Sequence, residues 1–445
     1  MASVIFASVP VHGHVTPLLP LAAELVARGD RVRFLTGARF AAAVLATGAE
    51  HVPLPGEADF DDRNVSAHFP ERERLSPVKA VAYDLEHIFV RPAPAQYAAI
   101  RRLLGDEPAD AIVTDPTFAA GALLAGQPAT ERPPVLVGGV LPLSMPSADL
   151  APFGLGVPPL GGLAGRLRNA VLRAVSDRLF ASLDAADREI GRRVLGHEPS
   201  IRIMQWLQYA DGVIQLTVPS FEYPRPEADP ERLTFVGPVS ASGSRQHALP
   251  DWWAELDGSR PVVHVTQGTI ANDDLTELIR PTIDAFADRE PLVLVATGGA
   301  PVASLGALPG NVRAAEFLPY EELLPRTTVM VTNGGYGGVQ FALRHGVPLV
   351  VAAGKEDKAE VAARIAWSGV GVRLWAQRPT PAQLRRGVER VLADPSYRQA
   401  AGRIGAEIAA SPGVAGFVRA LDAVIGRRCA RVDSRVEPVE TCPTV

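Results

Sequence analysis

Apolar and polar positions alternate between two kinds of stretch from the first residues onward: short continuous apolar runs, and longer segments with apolar residues at helical spacing. Ser3 to Val9 is a β-rich apolar run; Pro17 to Arg28 carries Leu18, Leu21 and Leu25 at helical spacing and stops at Gly29; Arg31 to Leu35 returns to a strand pattern. Strand, helix, strand in that order predicts a parallel, doubly wound sheet, because parallel strands need a crossover and a helix is the usual one. Ala38 to Thr47 continues as a helix ended by Gly48, and Ala109 to Thr114 and Pro134 to Gly138 read as further buried strands.

The rhythm fails in three places. Glu57 to Pro94 and the Pro/Gly-rich stretch Leu141 to Gly165 are irregular, and long irregular segments inside a compact domain are commonly functional loops. Both are expected to wall a substrate site. After a strand at Asp211 to Val218, four prolines (Pro219, Pro224, Pro226, Pro230) and a Ser/Gly-rich stretch from Val239 to Ala248 mark a linker over 219–258. The alternation then restarts: strands at Val262 to Thr266, Leu292 to Thr297, Val329 to Thr332 and Pro348 to Ala352, with helices at Leu275 to Arg289 and Lys358 to Ser368. Two α/β, Rossmann-like halves therefore follow one another, 1–218 and 259–415. The segment 427–445 has few apolar residues and no period, and is expected to be a disordered tail.

Totals narrow the class. A chain of 445 residues, 47% apolar and 21% charged, suits a globular protein of two domains. Its net charge of -5 supplies no basic footprint, so no nucleic-acid partner is expected. Cys429 and Cys442 are the only cysteines, which leaves no disulfide framework or cysteine metal site and fits a cytoplasmic location. Met1 to Pro10 lacks the basic region of a signal peptide, and no apolar run approaches 18 residues, so no membrane insertion is expected. Lysine occurs only at 79, 355 and 358, and two of the three share one short loop.

Neither half carries Gly-x-Gly-x-x-Gly after a strand, which argues against a dinucleotide cofactor. The second half instead has Gly334, Gly335, Gly337 and Gly338 between a strand and a helix running to about Arg344. Glycines there let a diphosphate approach backbone N–H groups at a helix N-terminus, and they also suit a plain tight turn. Gln267-Gly268-Thr269 and Thr297-Gly298-Gly299 end two other strands, which puts three polar loops on one carboxyl edge.

With these pieces in order, Phe317 to Lys358 resembles the donor signature of family 1 glycosyltransferases, nucleotide-sugar-dependent enzymes of the GT-B fold. The first half agrees: Val11-His12-Gly13-His14-Val15-Thr16-Pro17 is similar to the family's Gly-His-x-x-Pro loop. The resemblance implies two doubly wound domains facing across a cleft, the acceptor held by 1–218 and the nucleotide sugar by 259–415, with a helix over 416–426 packing back on the first domain. It implies His14 as general base, oriented by Asp115, with His12 as the alternative base. Donor-binding positions are Gly268, Thr269, Thr297, Phe317 under the nucleobase, Leu318, Asn333, Gly335, Gly337, Gly338, Asp357 and Lys358. The segment departs from the family pattern at four positions: Asn333 replaces its phosphate-binding His, Phe341 its ribose-binding acid, Lys358 its Gln, and Ala353 the Pro before the loop.

Phe60, Phe69, Tyr83, Phe89, Met145 and Phe153, in the irregular segments, are the expected acceptor contacts. The partners implied are a nucleotide sugar, UDP- or TDP-linked, and a hydrophobic small-molecule acceptor such as a macrolide, an ansamycin or a phenolic. No cofactor or metal is expected, and the protein is expected to be a monomer or homodimer. Two other readings stay open: a GT-B-fold sugar-nucleotide epimerase, and a degenerate relative that binds without transfer.

Overall fold

The computed structural model describes residues 1–75, 77–239, 249–269, 274–352 and 357–433. The first half builds β1 (Ser3–Ala7), β2 (Arg31–Thr36), β3 (Glu50–Pro53), β4 (Ala111–Thr114), β5 (Val135–Gly139), β6 (Gly212–Gln215) and β7 (Leu233–Phe235). The second builds β8 (Val262–Thr266), β9 (Leu292–Ala296), β10 (Val312–Ala315), β11 (Val329–Thr332), β12 (Leu349–Ala352) and β13 (Gly371–Leu374). All pairings are parallel, in the orders β3-β2-β1-β4-β5-β6-β7 and β10-β9-β8-β11-β12-β13.

Successive strand residues face opposite covered layers, which is why the interior strands read as unbroken apolar runs. Along β1, Ile5 and Ala7 join one buried cluster and Val4 and Phe6 the other. The four strands that the apolar pattern does not announce, β3, β7, β10 and β13, are the four sheet edges. Their residues are mostly half-buried or exposed, so they carry little of the signal that burial writes into a sequence.

β7 also lies inside the stretch expected to be a linker, which therefore extends the first sheet. Proline-rich flanks hid so short a strand. The chain then crosses back at its end. Helix Pro395–Ala410 packs into the second domain through Ala401, Ile404 and Ile408, whereas helix Gly413–Asp433 packs on the first through Phe417, Leu421 and Val424. Full burial of Phe417 and Leu421 contributes about 1.5–3 kcal/mol each. This last helix runs seven residues past the expected stop at 426, to Asp433, so the first part of the expected tail is helical; the remainder, 434–445, lies outside the described residues.

Candidate active site

Each sheet reverses its strand order once, between β1 and β4 and between β8 and β11, and ligands of such sheets bind beyond the carboxyl ends at that reversal. The loops at both reversals line a single cleft of about 2240 Å³ between the two sheets.

In the first domain the chain leaves β1 through Ser8 to Val11 and enters the short helix His12–Val15. Asp115 follows β4 directly. Its carboxylate is fixed from three sides: the Val9 N–H donates to Oδ2 at 2.8 Å, and the Thr117 N–H and hydroxyl donate to Oδ1 at 2.8 and 2.6 Å. His14 Nδ1 lies 3.0 Å from the same Oδ1. A carboxylate only accepts, so Nδ1 carries the proton and Nε2 keeps its lone pair for the cleft.

Asp115 is 0% exposed and His14 7%. Burial alone pushes the Asp115 carboxyl up, but the charge and hydrogen bond of His14, with the Thr117 and Val9 donors, outweigh it and hold the group below the usual carboxylate range. The turn behind it is braced in turn: the Trp206 indole N–H donates to the Pro116 carbonyl at 3.0 Å, and Gly121 leaves room for that ring, since a Cβ there would stand 2.6 Å from it. Phe89 stacks near His14, ring centroids 6.2 Å apart. His12 also lines the cleft, but its ring meets the Thr16 hydroxyl at 3.4 Å rather than a carboxylate, so of the two rings it is that of His14 which a carboxylate orients.

In the second domain, described residues that follow β8, β9, β10, β11 and β12 converge on the cleft. The buried Gln267 side chain accepts the N–H groups of Leu278 and Ile279 at 3.2 and 3.0 Å and so holds the start of helix Ile279–Phe286. Asn333 donates through Nδ2 to the Gln267 carbonyl at 2.6 Å and accepts the Gly335 N–H at 3.3 Å. This side chain thus ties together the two loops at the sheet reversal. Gly334 makes the turn at φ +89°.

Helix Tyr336–Arg344 begins at Gly335 with no side-chain cap, so its first N–H groups have no intrahelical acceptor and its positive end faces the cleft. Gly337 is exposed in this first turn, and a Cβ there would meet nothing within 4 Å. Packing therefore does not require glycine at 337. Gly337→Ala is expected to fold with stability unchanged or raised by about 0.4–1 kcal/mol. It should weaken UDP or dTDP roughly tenfold, equivalent to ~1.4 kcal/mol, in titration calorimetry; undiminished affinity would remove Gly337 from the donor site.

Phe317 is 42% exposed and lies over Gly299, where a Cβ would stand 3.3 Å from its ring. Leu318 is buried beside it. Gly268, Thr269, Gly338, Asp357 and Lys358 line the same wall, Asp357 at the N-cap of helix Lys358–Trp367; Lys355 lies outside the described residues. On the acceptor side Phe60, Phe89, Met145 and Phe153 line the cleft.

Three expected contacts do not line it. Thr297 is buried, its hydroxyl donating to the Ala300 carbonyl and so shaping its own turn. Phe69 packs edge-on against Phe60, centroids 5.6 Å apart. Tyr83 stacks on His87, one helical turn on, while Val81, Asp84, Leu85 and Ile88 take the cleft face. Helical phase decides this last case, and the irregular pattern of the segment concealed it. Sequence reasoning missed Thr117 and a buried trio, Glu222, Glu360 and Arg364, and took Gln267 only as part of its loop. Only Thr117, two residues after Asp115 in an Asp-Pro-Thr turn, had a local signal.

Residues 281–424 match the family described as erythromycin biosynthesis protein CIII-like, C-terminal domain. Over 429 residues the chain is 42% identical to the 4'-demethylrebeccamycin synthase of Lentzea aerocolonigenes, covering 95% of this chain and 100% of that one. It is 36% identical over 416 residues to UDP-glycosyltransferase 2 of Phaeomoniella chlamydospora, covering 89% and 90%. Among solved structures, the calicheamicin glycosyltransferase CalG4 superposes with a TM-score of 0.67 at 28% identity, covering 98% of this chain and 100% of that one. The two parallel sheets, the cleft at their reversal points and these similarities together place the chain in the GT-B glycosyltransferases, enzymes that transfer a sugar from a nucleotide sugar to an acceptor.

Proposed function

We propose that the enzyme is an inverting glycosyltransferase in which His14 is the general base and Asp115 its orienting partner. The observation that carries this is the buried 3.0 Å contact between His14 Nδ1 and Asp115 Oδ1, set at the cleft opposite an uncapped, glycine-bearing helix N-terminus. The acceptor oxygen attacks C1 of the sugar from the face opposite the diphosphate. As the new O–C1 bond forms, the acceptor proton passes to His14 Nε2, and the electron pair of the breaking C1–O bond leaves with the diphosphate. Asp115 stays ionised and stabilises the imidazolium. The N–H groups of Gly337 and Gly338, with the Lys358 ammonium, stabilise the departing negative charge.

The acceptor side suits a hydrophobic molecule, because Phe60, Ile88, Phe89, Met145, Phe153 and Leu155 share its walls. Natural products of the class to which demethylrebeccamycin belongs, macrolides, ansamycins and phenolics are the acceptors to try. Phe341 packs edge-on against Tyr320, centroids 6.2 Å apart, and offers no acceptor to a ribose hydroxyl. That favours testing TDP-sugars, which lack the 2'-hydroxyl, beside UDP-glucose.

A cytoplasmic monomer or homodimer is the proposed form. Among the described residues no single helix is long and apolar enough to cross a membrane, and the bent pair Pro395–Ala410 and Gly413–Arg428, which passes by composition, has its apolar residues built into the two cores.

The test is a mass-spectrometric screen of UDP-glucose and TDP-sugars against that acceptor panel. Glycosylated product from at least one pairing is expected. Acceptor binding with no turnover of any donor would favour a non-catalytic relative, and donor isomerisation without an acceptor would favour an epimerase.

A further inference from the structure

Three charged side chains that no step above uses lie buried where the two domains meet. Arg364, Glu222 and Glu360 are 1%, 2% and 4% exposed. Arg364 donates through Nε to Glu222 Oε2 and through Nη1 to Glu360 Oε2, each at 2.8 Å. One guanidinium against two carboxylates leaves an excess negative charge, and the first domain's backbone takes it up. The Leu143 N–H donates to Glu222 Oε1 at 2.9 Å, and the N–H groups of Gly154 and Gly156 both donate to Glu360 Oε1, at 2.9 and 2.8 Å.

These amides belong to the acceptor wall. Phe153, Leu155 and Val157, interleaved with the two glycines, line the cleft. The carboxylate that holds them belongs to the other domain and stands on helix Lys358–Trp367, less than one turn from Asp357 and Lys358 at the donor wall. Contact is close enough to exclude a side chain: a Cβ on Gly156 would stand 2.5 Å from the Ala359 carbonyl oxygen. Arg225 completes the fastening, donating to the Leu143 and Met145 carbonyls at 2.6 and 3.0 Å.

We propose that Glu360 is a positioning residue: from the donor helix it sets the acceptor wall Phe153–Val157, so that occupancy of the donor site fixes where the acceptor hydroxyl stands. The inference rests on the glycosyltransferase reading above for its kinetic arm alone. A buried carboxylate with three donors around it is rigid, and a rigid strut between a helix and a loop passes displacement of one to the other. Reaction geometry is sensitive to such shifts, since misplacement by about 1 Å can cost roughly 10²-fold in rate.

Two variants of the full chain test it. Glu360→Gln turns one oxygen into a donor, so either the loop amides or Arg364 lose their acceptor. Gly156→Ala pushes the loop off the helix while Arg364 still pairs with both carboxylates. Hydrogen–deuterium exchange is followed with and without saturating UDP or dTDP, and transfer kinetics with the acceptor returned by the screen. In the wild type the nucleotide is expected to slow exchange over 143–157 at least tenfold; in both variants that protection should vanish while nucleotide Kd stays within twofold. The acceptor KM should rise about tenfold and the donor KM should not. Nucleotide protection that persists in the variants, or is absent from the wild type, overturns the proposal, as does unfolding of both variants, which would leave the trio a purely structural role. If the wild type couples nucleotide to loop yet transfers no sugar, the functional reading fails and this inference stands.

Discussion

His14→Ala is expected to lower kcat by roughly 10²-fold or more, the usual contribution of a positioned general base, while UDP or dTDP affinity stays within twofold. The separation follows from the fold: His14 stands at the β1/β4 reversal, and the glycine-bearing helix N-terminus stands at the β8/β11 reversal of the other sheet. Asp115→Asn should be nearly as damaging. Its amide can present a donor to Nδ1, and a ring that must then accept there carries its proton on Nε2, where the lone pair is needed. Steady-state transfer assays decide both points, and full activity in His14→Ala would remove that residue from the mechanism.

The largest expected effect on stability belongs to Arg364→Met. The variant leaves Glu222 and Glu360 buried with their cation removed, and breaking one partner out of such a network costs about 3–5 kcal/mol. Denaturant unfolding should show the loss. Adding Glu222→Gln and Glu360→Gln to Arg364→Met should restore part of it, because the penalty arises from uncompensated charge rather than from a lost methylene stem. A change below about 1 kcal/mol in Arg364→Met would mean that water or the neighbouring Arg225 already carries the compensation.

Much of this architecture was legible without coordinates. β1, β2, β4, β5 and β6 of the first sheet, and β8, β9, β11 and β12 of the second, announce themselves as apolar runs because both of their faces are covered. The edges β3, β7, β10 and β13 do not, since a half-covered strand has little need of apolar residues. The donor loops were legible for a related reason: each is a local strand-to-helix turn, and turn chemistry is written in consecutive residues. Phe341 shows the other side. Its mismatch with the family pattern is plain in the sequence, but its edge-on partner Tyr320 is seen only in the fold.

What the sequence by itself determined is therefore what depends on neighbours along the chain: the alternation of strand and helix, the break between the halves, the glycine turns and the His14 loop. Tertiary structure alone decided what depends on segments far apart meeting. It set the turn of Asp115 and Thr117 beside His14, turned Tyr83 out of the cleft by helical phase, and tied Asn333 to the Gln267 carbonyl across 66 residues. It also brought Glu360 to the amides of Gly154 and Gly156 across more than 200. Periodicity reports which face of an element is buried, but not which residues of another element it is buried against; that pairing is fixed only when the two sheets and their crossing segments pack together.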